Sequence, residues 1–244
     1  MGNNKVALIT GAARGIGREI AKQLASEGFK VFAGDIAFDS VKNDKEQLDI
    51  VPLELDVSSL ESWNKAVKEI LDKEGRIDVL VNNAGINIRK TIEDMDEDEL
   101  MKMLKVNVGG TFMGTKSVLT FMKENGGGCI INMSSVCGLI GHEFTPEAYT
   151  TTKGAITLLT KSIAARYGKY NIRCNSIHPS TVLTEFVSKA AKDPEWLENR
   201  YKEVPLNRLA SVEDVANAVR FLVSGDATFI NGVGLAVDGG VTCK

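Results

Sequence analysis

With 244 residues and 43% hydrophobic content, the chain can bury one large core or two small ones. A net charge of −3 and a sequence pI of about 5.6 leave no basic field to hold a nucleic-acid backbone by counterion release, so nucleic acid is not an expected partner. No uncharged stretch approaches the length of a membrane span, and Met1-Gly-Asn-Asn-Lys5 carries no signal pattern; a cytoplasmic protein with no membrane attachment is expected.

Apolar runs suited to strands recur at Val6–Ile9, Lys30–Ala33, Ile50–Leu55, Val79–Val81, Cys129–Met133, Ile172–Ile177 and Gly234–Val237. Helical patterns fall between nearly all of them, at about Gly15–Glu27, Leu60–Lys73, Glu97–Lys123, Ala148–Tyr167 and Val212–Val223. Continuous apolar strands alternating with helices predict an α/β fold: a single domain over residues 1–244, Rossmann-type, with a doubly wound parallel seven-stranded sheet flanked by helices. Ser58 and Ser211 each precede an acidic residue by three positions, which predicts N-caps at both, with a capping box or a favourable helix-dipole contact.

The first strand runs into Thr10-Gly11-Ala12-Ala13-Arg14-Gly15-Ile16-Gly17, a glycine-rich turn that opens a helix. Glycines there permit backbone angles closed to other residues and a close helix–strand approach, leaving amides at a positive helix end for a pyrophosphate. An ordinary tight turn is the bland reading, but strand, turn and helix in sequence favour phosphate binding. Asp35, followed by Ile36, ends the second strand, where a carboxylate can accept from both hydroxyls of an adenine ribose or simply begin a turn. The first reading predicts NAD over NADP, because a 2′-phosphate would meet a like charge, with Arg14 as the opposing positive group. Asp56-Val57 and Asn82-Asn83-Ala84-Gly85 end the next two strands on the same sheet edge, as adenine and ribose neighbours; the asparagines also suit turn chemistry.

Ser134-Ser135 closes the fifth strand, and spacing alone leaves open which hydroxyl faces a substrate. In Tyr149-Thr-Thr-Thr-Lys153, a phenol and an ammonium four residues apart share one helix face. A nearby cation favours phenolate and can make the tyrosine an acid–base group; a buried ring with a snorkelling amine is the plain alternative. Cys129, Cys137, Cys174 and Cys243 lack CxxC spacing and, with only His142 and His178 beside them, make a poor zinc set, so no metal is expected. Cys137, with neutral apolar neighbours, reads as packing.

Thr10–Gly17, Asn82–Gly85, Asn107, Ser135, Tyr149 and Lys153, in that order over nearly the whole chain, resemble the short-chain dehydrogenase/reductase family. The resemblance implies that Ser135 of Ser135-Val136-Cys137-Gly138 polarises the substrate and that Tyr149 exchanges the proton. It further implies that Lys153 holds the nicotinamide ribose and lowers the phenol's pKa, and that Asn107, otherwise a helix polar residue, supports Lys153 through a water-linked relay. Pro179, Val182 and Thr184 match the segment that binds the nicotinamide carboxamide, although Pro179-Ser180 stands where many relatives carry Pro-Gly. Val237-Asp-Gly-Gly240 resembles the family's closing turn, and a homotetramer or homodimer is implied, built partly from the helices near Glu97–Lys123 and Ala148–Tyr167.

Together these residues predict reversible hydride transfer between NAD(H) and a secondary alcohol or ketone. Residues 184–204, together with the adjoining Leu183, carry Leu183, Phe186, Val187, Trp196, Leu197 and Tyr201 among charges, a pattern that suits an amphipathic lid or a simple packing helix; the resemblance to the family's substrate loop favours a lid, over a pocket for a bulky, weakly polar small molecule such as a hydroxysteroid or alicyclic alcohol. His142-Glu-Phe-Thr-Pro-Glu147 is expected to shape the pocket wall. A 3-oxoacyl carrier-protein reductase and a non-catalytic NAD-binding sensor are the competing readings.

Overall fold

In a computed structural model that describes residues 5–43, 48–184, 187 and 192–243, the strands are β1 (Val6–Thr10), β2 (Lys30–Asp35), β3 (Ile50–Glu54), β4 (Val79–Asn82), β5 (Gly128–Met133), β6 (Ile172–Pro179) and β7 (Gly234–Val237). All pair in parallel, in the order β3-β2-β1-β4-β5-β6-β7. The chain winds outward from β1 to β3 and then crosses to β4 on the other side of β1, which opens a crevice beyond the carboxyl ends of β1 and β4.

The two-residue period of the strands divides the core. Ala7 and Ile9 of β1, with Val31, Ala33, Val79 and Val81, face Ile20 and Leu24 of helix α1 (Gly15–Ser26) and Val215 and Val219 of α7 (Val212–Val223). Leu8, Phe32, Leu80 and Ile130 face the other way, onto Trp63, Val67 and Ile70 of α2 (Leu60–Glu74), Val118 and Met122 of α4 (Gly110–Glu124) and Ile163 of α5 (Glu147–Tyr167). Each such fully buried side chain is worth roughly 1.5–3 kcal/mol over its exposed state. No helix among the described residues is long and apolar enough to cross a membrane.

Two expectations need correction. The N-cap of α2 is Ser59, whose hydroxyl accepts from the Ser62 amide, because Ser58 commits its amide and hydroxyl to Asp56 at 2.9 and 2.8 Å. Ser211 does form the capping box, reciprocally with Asp214. The run Glu97–Lys123 is not one α-helix: α3 (Glu97–Met103) passes through a π-helical segment, Leu104–Gly109, before α4. The wider turn aims the buried Asn107 side chain at the Ile86 backbone, donating to its carbonyl at 2.9 Å and accepting from its amide at 2.8 Å. Helix α6 (Pro194–Glu203), capped by Asp193 with Pro194 in its first turn, occupies the C-terminal half of the segment read as a lid; Phe186 lies outside the described residues.

Candidate functional site

The glycine turn is fastened to β4 from two directions. Asn83 donates its side-chain amide to the carbonyls of Thr10 at 2.9 Å and Gly11 at 3.2 Å. The buried Thr10 hydroxyl accepts from the amides of Asn83 and Ala84, both at 3.0 Å. Asn83 thus acts as a buckle for the loop, a role that turn chemistry alone did not disclose. Gly11 sits at φ 66°, and a Cβ there would lie 2.9 Å from the Ala84 Cα; a Cβ on Gly17 would lie 2.3 Å from the Gly11 carbonyl oxygen. Arg14, at the N-cap of α1, provides no capping side chain, so the first-turn amides keep the donor character that a phosphate needs.

Asp35 lies against this turn. Its carboxylate accepts from the Ala13 amide at 3.0 Å and the Ala37 amide at 2.9 Å, so it both begins a turn and fixes negative charge beside the glycine loop. Ile36 is exposed, and Asp56, also exposed, is engaged with Ser58. Val57 is buried; its carbonyl takes the Trp63 indole N–H at 3.0 Å, and α4 packs closely on its side chain at Gly110, where a Cβ would lie 3.0 Å from the Val57 Cβ.

A cavity of about 500 Å³ extends from this turn along the carboxyl ends of β4, β5 and β6. Arg14, Ile16, Asn83, Gly85, Ser135, Tyr149, Lys153, Pro179 and Val182 line it. Ala84 is tied to the turn by the Thr10 hydroxyl, and Thr184 approaches Gly15, its methyl 3.7 Å from where a Cβ would stand. A second cavity, of about 310 Å³, adjoins the first, and Ser135, Tyr149, Asn87, Ser180 and Val182 border both. The two hydroxyls therefore stand where a long coenzyme-sized cleft meets a compact one.

Ser135 Oγ accepts from the Cys137 amide at 3.3 Å, and its donation to the Pro179 carbonyl stretches to 3.5 Å, so its O–H is weakly committed. Ser134, the alternative, is buried and bonded to the Lys153 carbonyl and Thr157; a Cβ on Gly138 would lie 2.4 Å from its oxygen. Behind Ser135 lies His178, which no spacing argument had singled out. Its Nδ1 is 2.8 Å from the Ser135 carbonyl oxygen and its Nε2 is 2.8 Å from the Ser176 hydroxyl. A carbonyl can only accept, so Nδ1 carries the proton and Nε2 receives the serine hydroxyl; burial lowers the ring's pKa and keeps it neutral.

Lys153 donates to the Met133 carbonyl at 2.8 Å, and its ammonium lies 5.4 Å from the centre of the Tyr149 ring. The expected downward pull on the phenol is not what the protein on its own shows. Burial pushes the Tyr149 phenol well above its ordinary value, Cys137 adds to the rise, and a hydrogen bond with Ser135 opposes it. Lys153 is desolvated too, and burial brings its ammonium down to about 8, so it acts as a weakened, tethered charge rather than a strong one. Asn107 also donates to Thr152 on α5 at 3.1 Å, and a Cβ on Gly85 would lie 3.3 Å from its Oδ1 and 3.8 Å from Lys153 Nζ.

A nicotinamide coenzyme fits this donor set. The close approaches at Gly11 and Gly17 leave backbone where side chains would stand, and the buried Ser180 hydroxyl, bordering both cavities, has no hydrogen-bond partner among the described residues. Val187, Trp196 and Val204, from the segment read as a lid, wall the smaller cavity, as do His142, Phe144, Thr145 and Pro146 from the stretch expected there. Its polarity departs from expectation: Arg89, Arg200 and Glu203 line it as well.

Comparison with known proteins agrees with this arrangement. The family model described as enoyl-(acyl carrier protein) reductase matches residues 11–242. The chain is 37% identical to trans-4-hydroxycyclohexanecarboxylate dehydrogenase of Sinomonas cyclohexanicum, covering 98% of this chain and 93% of the relative. It is 34% identical to 7alpha-hydroxysteroid dehydrogenase of Clostridium sardiniense, covering 97% and 92%. Among solved structures, a gluconate 5-dehydrogenase from Burkholderia cenocepacia J2315 in complex with NADP and tartrate superposes with a TM-score of 0.93 at 32% identity, covering 99% of this chain and 96% of that one.

Proposed function

The chain belongs to the short-chain dehydrogenase/reductase family of nicotinamide-dependent oxidoreductases, and from that premise we propose that it transfers hydride reversibly between NAD(H) and a secondary alcohol or ketone carried on a ring. The observation that carries this reading is the meeting of the two cavities at Ser135 and Tyr149. When bound in the larger cavity, the coenzyme supplies the hydride acceptor or donor.

The chain's own residues control geometry, charge and one proton. In the oxidising direction Tyr149 Oη removes the hydroxyl proton, and in the reducing direction it returns one; Ser135, lightly committed to Pro179, turns its O–H onto the same substrate oxygen. His178 is a positioning residue that holds the Ser135 backbone from behind. Lys153 offers its ammonium to a ribose hydroxyl, and Asn107 fixes the Gly85–Ile86 backbone beside it. Val182 and Thr184 flank the nicotinamide end, and Asp35 selects NAD by repelling a 2′-phosphate.

A dry cavity of about 150 Å³ takes a benzene-sized ring. A cavity of about 310 Å³ therefore encloses one substituted ring, whereas a four-ring steroid would protrude from it, which supports an alicyclic alcohol over a hydroxysteroid. Residues 184–204 are read as a lid on this cavity. The proposed assembly is a cytoplasmic homotetramer or homodimer, supported by the exposed Phe112 on α4 and Leu158 on α5 and testable by light scattering. Turnover of cyclopentanol, cyclohexanol, a hydroxysteroid and a 3-hydroxyacyl thioester with NAD and with NADP tests the function. Ring alcohols oxidised preferentially with NAD are expected; coenzyme binding without turnover of any of them would overturn the reading in favour of a sensor.

A further inference from the structure

The smaller cavity contains a cation that alcohol oxidation does not require. Arg200, on the inward face of α6, is buried, and its Nε has no hydrogen-bond partner among the described residues. Nη2 is 2.9 Å from Glu203 Oε1, whose other carboxylate oxygen lies 3.6 Å from His142 Nε2. The guanidinium carbon sits 4.4 Å from the centre of the Phe144 ring and 5.9 Å from that of Trp196, so its plane is held by aromatic faces instead of water. Arg89 stands on the same wall.

A guanidinium presents five N–H donors in a rigid fork that matches a carboxylate in bidentate fashion. One side of that fork is used by Glu203, while Nε is buried and has no partner among the described residues. If the role of Arg200 were only to staple α6 to the 142–146 stretch, stacking and the Glu203 pair would suffice, and a methionine or leucine would serve without leaving a buried donor unsatisfied. An uncharged substrate would leave that donor unmade; a carboxylate on the substrate would complete it.

We propose that Arg200 is a substrate-binding residue and that the substrate is a ring alcohol bearing a carboxylate remote from its hydroxyl, with Tyr149 and Ser135 at one end and the Arg200 fork at the other. The proposal rests on the dehydrogenase reading above and narrows its substrate class to hydroxy acids.

The test uses the coenzyme-loaded protein with 4-hydroxycyclohexanecarboxylate, its methyl ester and cyclohexanol. The ratio of kcat/KM for acid over ester is expected to be at least about tenfold in the wild type. It should fall to about one in Arg200→Met and take an intermediate value in Arg200→Lys, which keeps the charge but loses the fork. Because the ratio is taken within one protein, a general loss of activity in a variant cancels. Calorimetric binding of cyclohexanecarboxylate against its methyl ester needs no turnover and no variant, and should show the same preference for the acid. A wild-type acid-to-ester ratio at or below one in both measurements overturns the carboxylate site, and brisk oxidation of cyclohexanol would then leave the dehydrogenase reading standing. Acid-selective binding without turnover of any of the three alcohols would instead sustain the site and sink the dehydrogenase.

Discussion

Replacing Thr10 with valine keeps the shape of the side chain and removes the hydroxyl that ties the glycine turn to β4. Two amides point at that oxygen, but they lose different amounts. Asn83 N–H is shared with the Val81 carbonyl at 3.1 Å and retains that bond, whereas the Ala84 amide has Thr10 Oγ1 as its acceptor at 3.0 Å. An orphaned buried amide costs about 1–3 kcal/mol, and the weakened Asn83 bond adds a fraction, so Thr10→Val should destabilise the protein by about 2 kcal/mol. In a chain of this length that lowers Tm by roughly 4–8 °C. The loop should also bind coenzyme less tightly, because the Ala84 backbone that abuts Gly11 is no longer fixed. Urea and thermal unfolding with and without coenzyme measure both effects, and Thr10→Ser, which keeps the acceptor, should recover most of the loss. A valine variant within about 0.5 kcal/mol of wild type, or a serine variant as damaged as the valine, would refute the assignment of this hydroxyl.

Asp35→Ala should narrow the preference for NAD over NADP by at least about tenfold, since it removes the charge opposing a 2′-phosphate; unchanged selectivity in steady-state kinetics would remove Asp35 from that role. The ammonium of Lys153 is lowered to about 8 in the fold, so above that pH the unfolded chain binds more protons and stability rises. The gain ends near pH 10, where the raised phenol of Tyr149 makes the unfolded state release a proton first and reverses the slope. Between pH 7.5 and 9.5 the wild type should gain about 2 kcal/mol relative to Lys153→Met in urea unfolding; parallel pH profiles of the two proteins would contradict the desolvated ammonium.

The strands were legible because a sheet covered on both faces needs unbroken apolar runs, and β1 and β4 supply them. The glycine turn, Tyr149 and Lys153 stood out because their spacing is local, at a strand end or on one helix face, whereas only the family resemblance separated Ser135 from Ser134. What spacing could not show is set by partners distant in sequence. The π-helical segment at Leu104–Gly109 has no local signature and follows from Asn107 reaching Ile86. The choice of Ser59 over Ser58 as a cap turns on what Asp56 binds. His178 reads as one more residue of an apolar strand, and its role follows only from the hydrogen bond it makes to the Ser135 carbonyl, 43 residues away in sequence. Arg200 lies in Glu198-Asn-Arg200, which reads as a solvated helix face, and only the packing of Phe144 and Trp196 shows that it points inward.

The most direct measurement is single-turnover oxidation of a ring alcohol by coenzyme-loaded Tyr149→Phe, with coenzyme binding followed in the same sample. Removing the phenol oxygen should slow the chemical step by about 10²–10⁴-fold while the coenzyme still binds. A Tyr149→Phe protein that oxidises the alcohol within about tenfold of the wild-type rate would show that the proton leaves by another route.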